Sequence, residues 1–177
     1  MALIIFLSGA LIFSLILFFV TASSFVGFVM TRVPYVLTSR ADILELVQKV
    51  PITKDDVFID LGCGSGKVLF AVEKASGAKV KGFELALWAY LWGRIKTVFK
   101  KSGADIRLGN FFHQNLSEAT VIYCYLYPPL MRGVGQKVID DCRQGTKVVS
   151  RDFPIPNLQQ IGSWKSVTGH DIYLYQR

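Results

Sequence analysis

The sequence predicts an α/β fold: a doubly wound, seven-stranded, mostly parallel sheet with a C-terminal antiparallel hairpin and one N-terminal transmembrane helix. Three observations predict it. Residues 2–31 carry no charged side chain and are dominated by Leu, Ile, Phe and Val. From Val57 onward, five short apolar runs alternate with segments of helical periodicity, the order of a parallel sheet with crossover helices. Two final runs, residues 164–168 and 171–175, are joined by Gly169-His170 and read as a hairpin.

The apolar stretch, residues 3–20 continued by 25–30, is long enough to span a bilayer with some tilt. A cleaved signal peptide is the competing reading. It lacks a basic n-region, and the apolar run exceeds an h-region. The first charged side chain is Arg32, followed by Arg40. By the positive-inside rule, the C-terminal part faces the cytoplasm. The expected organisation is an anchor over residues 1–31, a linker and first helix over 32–51, and a catalytic domain over 52–177.

Within 32–51, Pro34 biases Val33 away from helix. Thr38 or Ser39 suits an N-cap, and Ile43, Leu44, Leu46, Val47 and Val50 form one helical stripe ended by Pro51. The central strand begins at Val57. A helix over 67–76 is stopped by Gly77, a second strand covers 79–84, and a long helix covers 85–101. A third strand is expected over 104–111 and a fourth over 120–127, ended by Pro128-Pro129. A helix over 130–143 and a fifth strand over 146–150 follow. Ligands of such a Rossmann-like sheet bind at the carboxyl ends of its strands.

The chemistry centres on Asp60-Leu61-Gly62-Cys63-Gly64-Ser65-Gly66. An apolar strand ends on an acid, and Gly62, Gly64 and Gly66 then let the backbone turn tightly and a ligand approach closely. No P-loop Gly-Lys-Ser/Thr follows, and the glycine spacing departs from G-x-G-x-x-G. That disfavours a nucleoside triphosphate, and it disfavours NAD or FAD. Asp60 would repel a pyrophosphate and attract a ligand bearing ammonium and sulfonium groups. S-adenosylmethionine is such a ligand. Against this stands the ordinary use of Asp as a turn-capping carboxylate.

Glu84 ends the second strand, where a carboxylate accepts ribose hydroxyls; an exposed strand-end acid is the bland alternative. Asn110 and Phe111 follow the third strand. An amide there can bond an adenine and an aromatic ring can stack on it, unless Asn110 simply forms the turn and Phe111 and Phe112 fill the core. Tyr123, Tyr125 and Tyr127 alternate along the fourth strand and share a face. Tyr127 stands at its carboxyl end, where a substrate enters, although most such tyrosines are core. No Asn or Asp precedes Pro128-Pro129, so the amide that would anchor the exocyclic amine of a nucleic-acid base is missing.

The chain has 177 residues and a formal charge of +7. A basic surface suits nucleic acid, anionic lipid or an acidic protein face. Cys63, Cys124 and Cys142 have no metal or disulfide spacing and read as reduced thiols. His113 and His170 are the only histidines, and no metal site is expected.

These motifs resemble those of class I, seven-β-strand methyltransferases: Asp-Leu-Gly-Cys-Gly-Ser-Gly, then Gly-Phe-Glu, then Gly-Asn-Phe-Phe. They resemble more closely the membrane-anchored lysine methyltransferases that modify the adenine nucleotide translocase and the ATP synthase c subunit, with their prokaryotic relatives. The anchor, Pro34-Tyr35-Val36 with Thr38, Tyr125-Leu126-Tyr127-Pro128 with Met131, and Phe153-Pro154-Ile155-Pro156 carry that likeness. The resemblance implies S-adenosylmethionine as cofactor, held by Asp60, Leu61, Gly62, Gly64, Gly66, Glu84, Asn110 and Phe111. Tyr127 and Tyr35 are the expected walls of the acceptor channel, and the anchor, by fixing the active site near the membrane surface, makes a membrane protein with a juxtamembrane lysine the expected substrate. Asn110 replaces the family's third-strand acid, and Ser65 stands where an acid is common. The competing functions are methyl transfer to a lipid, quinone or other small molecule, and a nucleoside-binding module without catalysis. A membrane-tethered oxidoreductase is disfavoured by the glycine spacing.

Overall fold

The computed structural model describes residues 1–31 and 38–177. Helix α1 (Ala2–Thr31) is followed by α2 (Arg40–Lys49), β1 (Val57–Leu61), α3 (Lys67–Ser76), β2 (Lys79–Glu84), α4 (Leu87–Lys100) and β3 (Asp105–Leu108). A 3-10 turn (Phe111–His113), β4 (Val121–Cys124), α5 (Pro128–Asp141), β5 (Lys147–Arg151), β6 (Gln159–Lys165) and β7 (Asp171–Gln176) complete the chain.

The sheet has seven strands in the order β3-β2-β1-β4-β5-β7-β6. The first five run parallel, and β7 pairs antiparallel with both β5 and β6. The strand order reverses between β1 and β4, which opens a crevice at their carboxyl ends. Period 2 decides which residues meet there. On β1, Phe58 joins the core under α2 and α3, while Ile59 and Leu61 join the core under α5. Tyr123 shares the Phe58 side, and Ile122 and Cys124 the other. Each fully buried Leu, Ile or Phe of these layers stabilises the fold by about 1.5–3 kcal/mol.

Helix α2 is integral to the first layer through Ile43, Leu46 and Val50. Ser39 caps it by accepting the Asp42 N–H at 3.0 Å. Helix α1 contains a segment, Ile4–Ala22, of mean hydropathy 2.6 in which no described residue is buried. It is long and apolar enough to cross a membrane.

Several boundaries differ from the sequence expectation. Strand β4 ends at Cys124, so Tyr125 and Tyr127 lie beyond it. Tyr127 becomes the N-cap of α5, because Pro128 and Pro129 fit the first turn of a helix, where no amide hydrogen is required. The third strand stops at Leu108, and Asn110 starts the 3-10 turn instead of extending it. The first hairpin strand covers 159–165, not 164–168. Ser166 to Gly169 form the turn, with the Gly169 N–H donating to the Ser166 carbonyl at 2.8 Å.

Candidate functional site

The glycine turn crosses the carboxyl edge between β1 and α3. Gly62, Gly64 and Gly66 have φ of 84°, 55° and 79°, the left-handed region that a Cβ disfavours. At Gly62 a Cβ would also stand 3.0 Å from Leu126 Cδ2. The turn is held from below by the Phe83 carbonyl, which accepts the N–H groups of both Gly62 and Cys63 at 3.0 Å.

Asp60 and Glu84 close adjoining strands under this turn, and both are buried. Glu84 accepts the Gly64 N–H at 2.7 Å through Oε2 and the Ala86 N–H at 2.7 Å through Oε1. It therefore fixes the turn against the β2–α4 connection, and each oxygen retains a lone pair for a ligand hydroxyl. Burial, with the Glu84 carboxylate adding, pushes Asp60 well above its ordinary 3.8. Burial also raises Glu84 above 4.5, although the N–H groups of Ala86, Gly64 and Leu85 oppose it. Among the described residues no Lys, Arg or His forms an ion pair with either. Two buried carboxylates without a cation make a place for a positively charged ligand.

Asn110 accepts the Phe112 N–H at 3.0 Å through Oδ1, so any bond from an adenine amine shares that oxygen. Phe111 is buried in the core under α5 and packs against Phe112 with ring centroids 4.3 Å apart. The Phe111 ring is thus core, and its neighbour Phe112 is the half-buried ring of the pair. Tyr127, 42% exposed, stands at the outer rim beyond β4. Tyr35 lies outside the described residues. The first described residue after it, Thr38, is buried against the site. Its hydroxyl bonds Tyr123 Oη at 3.1 Å, and its carbonyl accepts from Lys67 Nζ at 2.8 Å. Tyr123 pairs with Asp60 across β1 and β4.

Sequence reasoning missed two features here. Lys96 Nζ donates to Ser65 Oγ at 2.9 Å, bringing a cation from α4 to the turn. Arg151, at the end of β5, pairs with Asp42 of α2 at 2.7 Å, both side chains 2% exposed. The Arg151 guanidinium lies 5.0 Å from the Tyr125 ring centroid. Burial alone would raise the Asp42 carboxyl, but hydrogen bonds from Thr168, Ser39 and Ser166 hold it well below the usual range. The only sequence signal was Arg151 itself, a charge abutting an apolar strand. The three cysteines are free and buried, and burial pushes Cys124 up to about 12 and Cys142 up to about 11. A cavity of about 450 Å³ lies at the other edge, beside the first residues of β1 and β2, and its Lys81 and Glu118 pair with each other.

A doubly wound sheet with a glycine turn over two buried carboxylates that have no ion-pair partner among the described residues fits a class I S-adenosylmethionine-dependent methyltransferase. Known proteins agree. The chain belongs to the family of the ANTKMT methyltransferase domain, whose model matches residues 60–162. A protein-lysine N-methyltransferase of Saccharolobus islandicus is 30% identical over 157 residues, covering 81% of this chain and 93% of that protein. The crystal structure of an RNA methyltransferase from Salinibacter ruber with S-adenosyl-L-homocysteine shares the fold, with a TM-score of 0.75, 24% identity, and coverage of 80% and 93%. A geranyl diphosphate methyltransferase in complex with SAM has a TM-score of 0.57 and 18% identity, over 63% of this chain and 48% of that one. S-adenosylmethionine is the cofactor these findings support.

Proposed function

We propose that the protein is a membrane-anchored protein-lysine N-methyltransferase whose substrate is a membrane protein with an accessible juxtamembrane lysine. The lysine-modifying relative, aligned over most of both chains, is the observation that carries this reading. The apolar α1 supports the anchor, and the charge asymmetry after residue 31 supports a catalytic domain on the cytoplasmic side. In this organisation residues 1–31 are the anchor, 32–51 the linker and first helix, and 52–177 the methyltransferase domain.

Bound S-adenosylmethionine supplies an electrophilic methyl group on a good, neutral leaving group. The chain's task is alignment and exclusion of water. Asp60 balances the ligand's positive charge, and Glu84 accepts ribose hydroxyls while holding Gly64. Leu61, Gly62 and Gly66 shape the turn, and Asn110 with the Phe111 backbone borders the adenine. Tyr127, with Tyr35, walls the acceptor channel. A lysine ammonium must lose a proton before it attacks, and the phenolic oxygen of Tyr127 can accept a hydrogen bond from the resulting amine.

Incubation with tritiated S-adenosylmethionine and native membranes tests the proposal. Label in a protein band, recovered as methyl-lysine, is expected. Label confined to the organic extract would instead indicate a lipid or quinone acceptor. Bound cofactor with no transfer would indicate a nucleoside-binding module.

A further inference from the structure

Helix α4 is amphipathic in the wrong sense for a helix that only covers a sheet. Its fully buried residues are small, Ala89 and Gly93, and Tyr90 packs beside them against the core. A Cβ at Gly93 would stand 3.0 Å from Ile106 Cδ1, so the helix lies close on β3. Five of its large apolar side chains point outward. Leu91, Trp92 and Ile95 are exposed, and Val98 and Phe99 are 76% and 84% exposed. At about 100° per residue, these five fall in one arc about 120° wide.

Basic residues border that arc on both sides. Arg94 and the C-cap Lys101 flank one margin, and Lys96 and Lys100 the other. No Asp or Glu occurs between Glu84 and Asp105. Lys96 stands over the Trp92 ring at 5.5 Å and Lys100 over the Phe70 ring at 5.8 Å. Burial, with Lys100 and Lys67 nearby, lowers the Lys96 ammonium. Helix α1 packs against α4.

We propose that the outward face of α4 lies in the headgroup layer of an anionic membrane, as a second lipid contact beside α1. An apolar arc with aromatic residues between basic margins is the composition of an interfacial helix, which buries its apolar face about 5–10 Å into the headgroup boundary. A membrane-spanning α1 touching α4 places that arc at the bilayer surface. The proposal rests on the anchored reading and goes beyond it. A helix lying in the membrane plane, starting beside Glu84, keeps the carboxyl edge of the sheet at the height of the headgroups. A juxtamembrane acceptor would be met there.

The test uses the full chain reconstituted in vesicles of phosphatidylcholine, with and without phosphatidylglycerol. Each is made with plain or bromine-labelled acyl chains, which quench tryptophan at short range. Flotation with the vesicles reports the α1 anchor. Brominated chains should quench the tryptophan emission, and Trp92→Phe should remove about half or more of that quenching. Trp88 and Trp164 remain in that variant. Arg94→Gln with Lys100→Gln and Lys101→Gln should abolish the extra quenching that phosphatidylglycerol brings. A chain that floats but whose emission ignores bromine overturns the α4 contact and leaves the anchor standing. A chain that does not float overturns both. Trp92 emission that answers to an RNA oligonucleotide and not to brominated lipid overturns the proposal in favour of nucleic acid.

Discussion

Glu84 Oε2 accepts the Gly64 N–H at 2.7 Å and so locks the end of β2 to the middle of the glycine turn. One carboxylate thereby shapes the turn while presenting charge to it. Glu84→Ala removes both roles and should weaken S-adenosylmethionine binding by about 1–3 kcal/mol, the cost of leaving buried polar groups unmatched. Glu84→Gln keeps one acceptor and loses the charge, so it should fall between wild type and Ala. Titration calorimetry of the three proteins checks the order.

The same carboxylates set a pH dependence. Asp60 and Glu84 are both raised in the folded, unliganded protein, by burial first. The fold therefore holds their protons more tightly than the unfolded chain does. Their contribution favours folding most at low pH and is lost as pH rises from the ordinary 3.8–4.5 range through the raised values. A cationic ligand needs the ionised forms, so its affinity should fall as pH is lowered through that same window, and binding there should release protons. Affinity that is flat across mildly acidic pH would count against the charge assignment.

Asp42 runs the opposite way. Its folded carboxyl is lowered, so its stabilisation is present above the ordinary 3.8 and is lost as pH falls below it. Its partner Arg151 is equally buried. Arg151→Met strands the Asp42 carboxylate and should cost about 3–5 kcal/mol in urea unfolding. The pair also ties α2 to the end of β5, so the variant should loosen Thr38, and hydrogen exchange at residues 38–42 should speed up.

Gly62→Ala places a Cβ at φ 84° and 3.0 Å from Leu126 Cδ2. The backbone term alone is about 1–2 kcal/mol, and Leu126 must also move. A lower melting temperature together with weaker cofactor binding is expected.

The proposed function places Tyr127 on the acceptor side and not on the cofactor side. Tyr127→Ala should lower the rate of methyl transfer by about tenfold through misalignment and leave S-adenosylmethionine affinity unchanged. A loss of affinity of the same size would move Tyr127 to the cofactor side.

Much of this was legible in the sequence where local chemistry decides structure. Gly77 halts α3 by taking φ of 72°, and the expected bounds of 67–76 and of the strand 79–84 match the observed elements. The glycine turn and its two acids were readable because only glycine suits that backbone. Tertiary context set the rest. Pro128 and Pro129 were read as strand breakers and serve instead as the first turn of α5. Asn110 spends its side-chain oxygen on the 3-10 turn, which residue type alone does not reveal. The Arg151–Asp42 pair joins residues distant in the chain, and no periodicity predicts it. The outward stripe of α4 has the spacing of a core-facing helix, so the pattern gave its shape and concealed its direction.

The central claim is that two buried carboxylates make this turn a site for a cationic nucleoside. S-adenosylmethionine carries a sulfonium, and S-adenosylhomocysteine carries a neutral thioether in its place. The most direct measurement is the ratio of their dissociation constants for wild type and Asp60→Asn by titration calorimetry at neutral pH. Asp60→Asn should weaken S-adenosylmethionine more than S-adenosylhomocysteine, by about 1 kcal/mol or more of differential affinity. Equal weakening of the two ligands, or no change in either, would contradict it.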